Sequence, residues 1–488
     1  MIAARSSPLW PTTLGPPAVL LLVIGAGLAA GMLPPLYGAA LVGGGAIAII
    51  SARQPVIGLA AVALAIPLSP AAGDNSRFPI APSDALVVVV LAAAVLTGLA
   101  RRQTTPRWTG AFWPGIAFLL VAVLSAAQSS DLTVSAKEVL RWAEVVATLV
   151  LVATCCEKRR DRRIVVAAVL LGLVAEALLG WAQFILRRGP PSFQIGPFLR
   201  AYGTFGQPNP FGGYLVSTLP IALAILLWVW LKPADGHVGS GRGRFEVLVA
   251  LSLLASSVGV IALAMSLSRG ALLGFVGAGV VLAVLYTRRG LLLLGLALAL
   301  AFAVAGLASA GVVPASVTDR LAQVVEYFGW FDASRVVPTS QTWAVVERMA
   351  HWQAAWSMYL SNPILGVGPG HYPLAYPTYR VNDFWVDPLG HAHNLYLNVM
   401  AELGFLGILT YVVQWVAWVG LVIAAYRRSD ARFDRAVAAG VLASMVGVAI
   451  HNVFDNLSVH GLETELGLLI GLCAASGWGT AARLEEHG

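Results

Sequence analysis

The sequence has 488 residues, of which 58% are hydrophobic and 11% charged, and its mean hydropathy is +0.78. Soluble domains are nearer about 45–50% apolar and about 25% charged, so a water-soluble globule and a disordered chain are both excluded. The 31 basic and 24 acidic residues leave a net charge of +7, and in a membrane protein their placement says more than their sum.

A spanning helix needs about 20 mostly apolar residues. Such runs predict spans at 17–33, 36–51, 55–70, 84–100, 110–126, 138–156, 163–186, 211–231, 246–267, 269–287, 290–312, 402–425, 435–454 and 463–481. That is 14; the second and third are short and rich in Gly and Ala, so about 12–14 crossings are expected. The apolar run after Arg5 has no small-residue cleavage site and reads as a retained first span. The runs lack the alternation of a membrane barrel, which leaves an all-α polytopic fold.

Basic residues orient the spans. With the N-terminus cytoplasmic, 20 of the 31 basic residues fall inside, including Arg53, Arg101, Arg102, the run Lys158–Arg163, Arg288, Arg289, Arg427, Arg428, Arg432 and Arg435. Both termini are then expected inside, and the basic pI reports topology and no nucleic-acid partner. The two long interruptions, 187–210 and 313–401, fall outside, as do six of the eight histidines: His351, His371, His391, His393, His451 and His460. The expected organisation is therefore helices over 1–312 including outer loop 187–210, an outer domain at 313–401, and C-terminal helices over 402–488. Cys155, Cys156 and Cys473 form neither a disulfide framework nor a CxxC pattern and read as buried apolar residues near helix ends.

The outer segment is too aromatic for disorder. Residues 342–361 predict a helix with Val345, Met349, Trp352, Trp356 and Tyr359 on one face; Asn362–Pro363 stops it, and Gly366, Gly368 and Gly370 make a tight loop. Its aromatics suit either an interfacial belt or stacking on sugar rings. The GVGPG string follows a helix and lacks a P-loop lysine, and no DxD pair lies on the outer face. An enzyme acting there needs a donor that arrives activated and already in the membrane.

Three constellations carry chemistry. In 199–215, Arg200 precedes a Gly-rich, Pro-broken stretch with Tyr202 and Asn209 that runs into a span. It reads either as a ligand-approaching loop or as a turn with a snorkelling arginine. In 266–274, Arg269 sits between two spans with almost no loop, and an arginine at membrane depth is a functional candidate. A guanidinium suits a diphosphate because its planar fork donates bidentately and stays charged. In 390–398, His391 and His393 precede Asn394 and a span containing Glu402. An HxH pair can bind metal, but without a ligand-spaced partner the better use is a near-neutral general base. Glu402, nine residues after His393, is placed to orient or cap.

At these residues the chain resembles the O-antigen ligase and polymerase superfamily of bacterial integral membrane glycosyltransferases. The family hallmark, His then Asn, Ser or Gln, nine residues and GxxG, reads here as His393-Asn394, residues 395–403, Gly404 and Gly407. The stretches R-x-x-G-T-F-G-x-P-N at 200–209 and S-R-G-A-L-L-G at 268–274 also match, as do Arg348, Trp352, Ala355, Pro363, Gly366 and Gly368. The resemblance covers roughly 190–410. It implies a GT-C-type fold in the cytoplasmic (inner) membrane, with the active site on the outer, periplasmic face. It further implies a polyprenyl-diphosphate-linked glycan donor, a glycan or lipid hydroxyl acceptor, and inverting transfer without nucleotide, cofactor or essential metal. Carried over, Arg200 and Arg269 would bind the diphosphate and His393 would activate the acceptor; His391, Asn394, Arg348, Asn209, Tyr202 and Glu402 would contact substrate. Rival readings are a lipid-linked glycan transporter, using Glu144 and Glu176 as relay carboxylates, and a polymerase led by carboxylates such as Asp383 and Asp387.

Overall fold

The computed structural model describes residues 35–67, 82–101, 108–195, 197–231, 242–286, 329–339 and 342–485. The first helices are α1 (Pro35–Arg53), α2 (Pro55–Ala65), α3 (Pro82–Arg101), α4 (Trp113–Ser125), α5 (Leu132–Cys155) and α6 (Arg159–Leu186). A two-residue antiparallel pair, β1 (Gln194–Ile195) and β2 (Phe198–Leu199), precedes α7 (Pro208–Leu231), α8 (Arg242–Ser266) and α9 (Arg269–Tyr286). Two outer helices, α10 (Trp343–Ser361) and α11 (Tyr372–Tyr379), then lead to α12 (Leu395–Arg428), α13 (Arg432–His451) and α14 (Leu462–Glu485). The protein is an all-α polytopic membrane protein.

Among the described residues, seven helices are long and apolar enough to cross a membrane: Gly110–Gln128, α6, α7, the Glu246–Ser266 part of α8, α9, α12 and α13. The runs expected at 36–51, 55–70 and 84–100 form α1, α2 and α3, with α2 only 11 residues long. Those expected at 138–156 and 463–481 form α5 and α14, which are helical but carry Glu144, Glu463 and Glu465. The runs at 17–33 and 290–312 lie outside the described residues. Leu96, Leu120, Val123, Val276, Val416 and Trp230 are exposed on their helices, as lipid-facing positions must be. Cys156 caps α5 and is buried, Cys473 is buried in α14, and all three cysteines are free.

Helices α7 and α13 form the centre, each with 78% of its apolar window buried. Without a hydrophobic drive between helices in lipid, close backbone approach supplies much of the attraction. Gly447 of α13 and Gly274 of α9 make that approach: a Cβ on Gly274 would lie 2.4 Å from the Gly447 carbonyl oxygen.

One end of the bundle is closed by charge. The Arg162 guanidinium donates to both oxygens of Asp434, at 2.8 and 3.0 Å, and to the carbonyls of Cys156 and Glu157. Arg159 joins the same carboxylate at 3.4 Å. This ties the α5–α6 turn to the start of α13. Removing one member of a buried pair leaves the other uncompensated, so Asp434→Ala should destabilise the protein by about 3–5 kcal/mol. The double variant Arg162→Met/Asp434→Leu should recover most of that loss. Thermal unfolding in detergent reads both, and a double variant as unstable as the single would contradict the pairing.

Candidate functional site

The opposite end gathers the sequence constellations. The segment 387–394 reaches α12 through two strained turns: Leu389 has φ +49°, Gly390 φ +82° and His393 φ +51°. A side chain in this region is uncommon and costs energy that surrounding contacts must offset. The contacts are specific. The His393 amide donates to His391 Nδ1 (3.1 Å), the Ala392 amide to Asn398 Oδ1 (3.0 Å), and the Trp352 indole to the His393 carbonyl (3.2 Å). Asn394 is the N-cap of α12, its side chain accepting the Leu397 amide at 3.0 Å.

His393 faces Asp455, in the turn that follows α13. Its Nδ1 lies 3.1 Å from Asp455 Oδ1, and His391 Nε2 lies 4.0 Å from the same oxygen. A carboxylate only accepts, so Nδ1 of His393 donates to it, and in the neutral ring this leaves the lone pair on Nε2. Asp455 is buried, which by itself would raise its pKa. The His393 hydrogen bond, with His391 and Arg348, overrides burial and holds the carboxyl far below its usual range. The Asn456 amide adds a bond at 2.8 Å. The Leu395 amide donates to the carbonyls of Asn452 and Asp455, so the two turns are stitched together. Burial, then the His393 charge, push His391 down to about 4. His351, buried behind His393 and bonded through Nδ1 to the Tyr372 hydroxyl at 2.8 Å, is pushed down to about 3.

Arginines surround this pair. Arg200 donates from Nε to the Ser266 carbonyl (2.8 Å) and from Nη2 to Asn209 Oδ1 (2.8 Å). Burial first, and then the nearby positive charges of Arg348 and Arg269, lower it to about 10, with Asp455 opposing. Arg348 donates to the Ala344 carbonyl at 3.1 Å, and its Nε is buried with no hydrogen-bond partner. Arg269 opens α9 just after Leu267, held at φ +50°. Next to it, Gly270 packs so tightly on the His451 ring that a Cβ would come within 2.7 Å. Arg200, Arg269, Arg348, His391, His393 and Asp455 thus share one electrostatic neighbourhood.

Other expected contacts go elsewhere. Tyr202 packs on Phe193, ring centroids 5.3 Å apart, and its amide donates to Gln183. Glu402 receives the amides of Gly370 (3.0 Å) and Tyr372 (2.9 Å), so its carboxyl holds the glycine loop. Here α12 breaks: Gly404 has φ +67° and ψ −160°, and a Cβ on it would sit 2.4 Å from the Ile364 carbonyl. The Phe405 amide donates to the Pro363 carbonyl and the Gly368 amide to the Glu402 carbonyl, so the turn at 363–368 packs against the break in the helix. Glu176 accepts the amide and hydroxyl of Thr204, anchoring the Arg200 loop, and Glu144 accepts from Thr464. On α10 the buried face is Val346, Met349, Ala350, Ala354, Ala355 and Met358; Trp356 is exposed and Val345, Trp352 and Tyr359 half-buried. The helix expected at 342–361 forms as α10, and its buried side is largely alanine-lined, small residues letting it lie close to Tyr372 and Tyr376.

His391, His393 and Asp455 also bring ligand atoms within 4.8 Å of one another. His391 Nδ1 accepts the His393 amide, so the proton of the neutral ring sits on Nε2, the atom that faces Asp455. Three arginine charges nearby further oppose a cation. The arrangement fits a doubly hydrogen-bonded carboxylate better than a metal centre. Asp455 itself is absent from the sequence reading; its only signal is a carboxylate in the short 452–461 turn between His451 and His460.

Residues 251–412 match the model of the family described as O-antigen ligase. Over these residues the chain is similar to the O-antigen ligase family. That region contains Arg269, Arg348, His391, His393 and Glu402, whereas Arg200 and Asp455 flank it. No curated protein matches the chain. Within the matched region, the residue after His393 acts as a helix cap. Asn394→Ala should cost about 1 kcal/mol, and Asn394→Ser, which can still accept, only a few tenths. Thermal unfolding separates the two; equal losses would exclude the cap.

Proposed function

We propose that this protein is a membrane glycosyltransferase of GT-C type. It moves a glycan from a polyprenyl-diphosphate carrier to a hydroxyl acceptor on the outer face of the cytoplasmic membrane. The observation that carries the reading is the convergence of Arg200, Arg269 and Arg348 on the His393–Asp455 pair. Outer-face placement rests on the short basic loops at the other end of the bundle, around Arg162 and Arg432.

In the reaction the acceptor oxygen attacks the anomeric carbon as the bond to the carrier diphosphate breaks, with inversion. The acceptor proton passes to Nε2 of His393, and the resulting imidazolium is stabilised by Asp455 through Nδ1. The electron pair leaves on the diphosphate, where Arg200 and Arg269 stabilise the developing charge, and Arg348 lies beside them. In a site shielded from water such preorganised charge is expected to be the largest catalytic contribution. No step calls for a metal or a nucleotide.

His393→Ala and Arg269→Ala should each abolish transfer while the protein still accumulates in the membrane; full activity in either would overturn the mechanism. Asp455→Asn should lower kcat by about 10²–10⁴-fold, the range spanned by assisted proton transfer. Deleting the gene distinguishes the acceptors. Long chains retained on the carrier identify a ligase, and single repeat units on the acceptor identify a polymerase.

A further inference from the structure

Residues 349–379, which carry α10 and α11 and lie outside the spanning helices, contain no Asp, Glu, Lys or Arg. At the roughly 25% charge of a soluble domain, a segment of this length surrounded by water would hold about eight. The two helices bury Ala354, Ala355, Met358, Tyr372 and Tyr376 against one another. On the outside they leave an apolar edge: Trp356 and Leu360, one turn apart on α10, and Ile364 in the turn that follows. Leu360 is 60% exposed and Ile364 64%.

This edge meets the bundle at a defined depth. The Phe405 amide donates to the Pro363 carbonyl at 2.7 Å and the Leu406 amide to the Ile364 carbonyl at 3.3 Å. The Ser125 hydroxyl donates to the carbonyls of Leu365 and Glu402, at 2.5 and 2.9 Å. The turn is thus clasped between two helices of spanning length, Gly110–Gln128 and α12. Beside these contacts the two spans expose Leu124 and Phe405, and α12 continues outward-facing with Leu409 and Val412. Ile364 therefore extends the lipid-facing surface. Aromatic rings border the edge: Trp330 meets Trp356 edge-on with centroids 6.4 Å apart, and Tyr359 lies 5.3 Å from Trp356. Trp and Tyr favour the headgroup level of a bilayer, with Leu and Ile in the hydrocarbon beneath.

We propose that the edge formed by Trp356, Leu360 and Ile364 docks into the lipid leaflet on the site's side of the membrane, so that the outer helices are seated in the bilayer. An exposed apolar patch marks either a protein or a membrane partner. Continuity with the lipid-facing sides of two spans, together with the absence of charge, selects the membrane. A segment lying in the interface buries its apolar side about 5–10 Å into the boundary between headgroups and acyl chains. Seating also bears on the site. Helix α10 carries Arg348 and Trp352, whose indole donates to the His393 carbonyl, so one helix links the bilayer surface to the HxH turn and sets the height of that turn. The placement holds whichever reaction the site performs.

The test uses full-length protein in phosphatidylcholine nanodiscs, with an environment-sensitive fluorophore attached at Leu360→Cys or at Ile364→Cys. Both side chains are exposed, so the substitutions leave the packing intact, and wild type taken through the same labelling gives the contribution of the native cysteines. Leu409→Cys on the exposed side of α12 marks the lipid limit, and Asp383→Cys, at a side chain 92% exposed, marks the water limit. Phosphatidylcholine brominated on its acyl chains should quench the labels at 360 and 364 as it does at 409, and aqueous iodide should quench them several-fold less than at 383. Iodide quenching at either position equal to that at 383 would overturn the proposal, because the edge would then face water. Protection from both quenchers would overturn it as well, because another protein surface, from this chain or a second copy, would then cover the edge.

Discussion

The site is organised by one buried charge. Asp455 lies in the turn between two helices, and a buried carboxylate without partners would take up a proton instead of remaining ionised. It keeps its charge because His393 and Asn456 donate to it and His391 faces it. A hydrogen bond to a charged group contributes about 1.5–3 kcal/mol, so these contacts together offset a desolvation cost of several kcal/mol. The same contact fixes the His393 tautomer. One interaction thus keeps the carboxylate ionised and orients the imidazole.

The interaction needs the HxH turn and the Asp455 turn to meet across 62 residues of chain. Much of the outer architecture serves that end. The cap at Asn394 starts α12 immediately after His393, and the Leu395 amide binds the Asp455 turn directly. At Gly404 the helix breaks and the turn at 363–368 packs against the break, and that contact positions the α10 helix whose Trp352 holds the His393 carbonyl. The left-handed backbone at His393 is sustained because so many bonds converge on the turn.

Much of this was legible in the sequence, for a definite reason. In a chain with 11% charged residues, an arginine at membrane depth such as Arg269 stands out, and so does an HxH at the mouth of a span. Helix limits followed the apolar runs closely: the run expected at 163–186 became Arg159–Leu186 and that at 269–287 became Arg269–Tyr286. What stayed hidden depends on tertiary packing. Asp455 has no spacing relation to His393. Glu402 and Asn394 were legible as polar residues near the site and Glu176 as a carboxylate within a span, yet their side chains are taken up by backbone amides. The α10 helix was legible, but its alanine-lined buried side was not, because close packing against Tyr372 and Tyr376 decides it and hydrophobic spacing does not.

The two ends of the bundle treat arginine differently, and the contrast bears on the proposed reaction. Arg162 meets Asp434 with both carboxylate oxygens, a complete pairing that leaves little attraction for anything else. At the far end Arg200 is held by a carbonyl and an amide oxygen, and Arg348 by a carbonyl. Neutral oxygens orient a guanidinium without cancelling its charge. Burial first, and then the repulsion of Arg348 and Arg269, lowers Arg200, and Asp455 offsets these only in part. Such a cluster is strained while empty and relieved by a multiply charged anion. Relief grows as negative charge accumulates on the ligand, and a departing diphosphate gains that charge as its bond to the sugar breaks. Under this reading the excess positive charge favours the transition state over the bound donor, as differential binding requires.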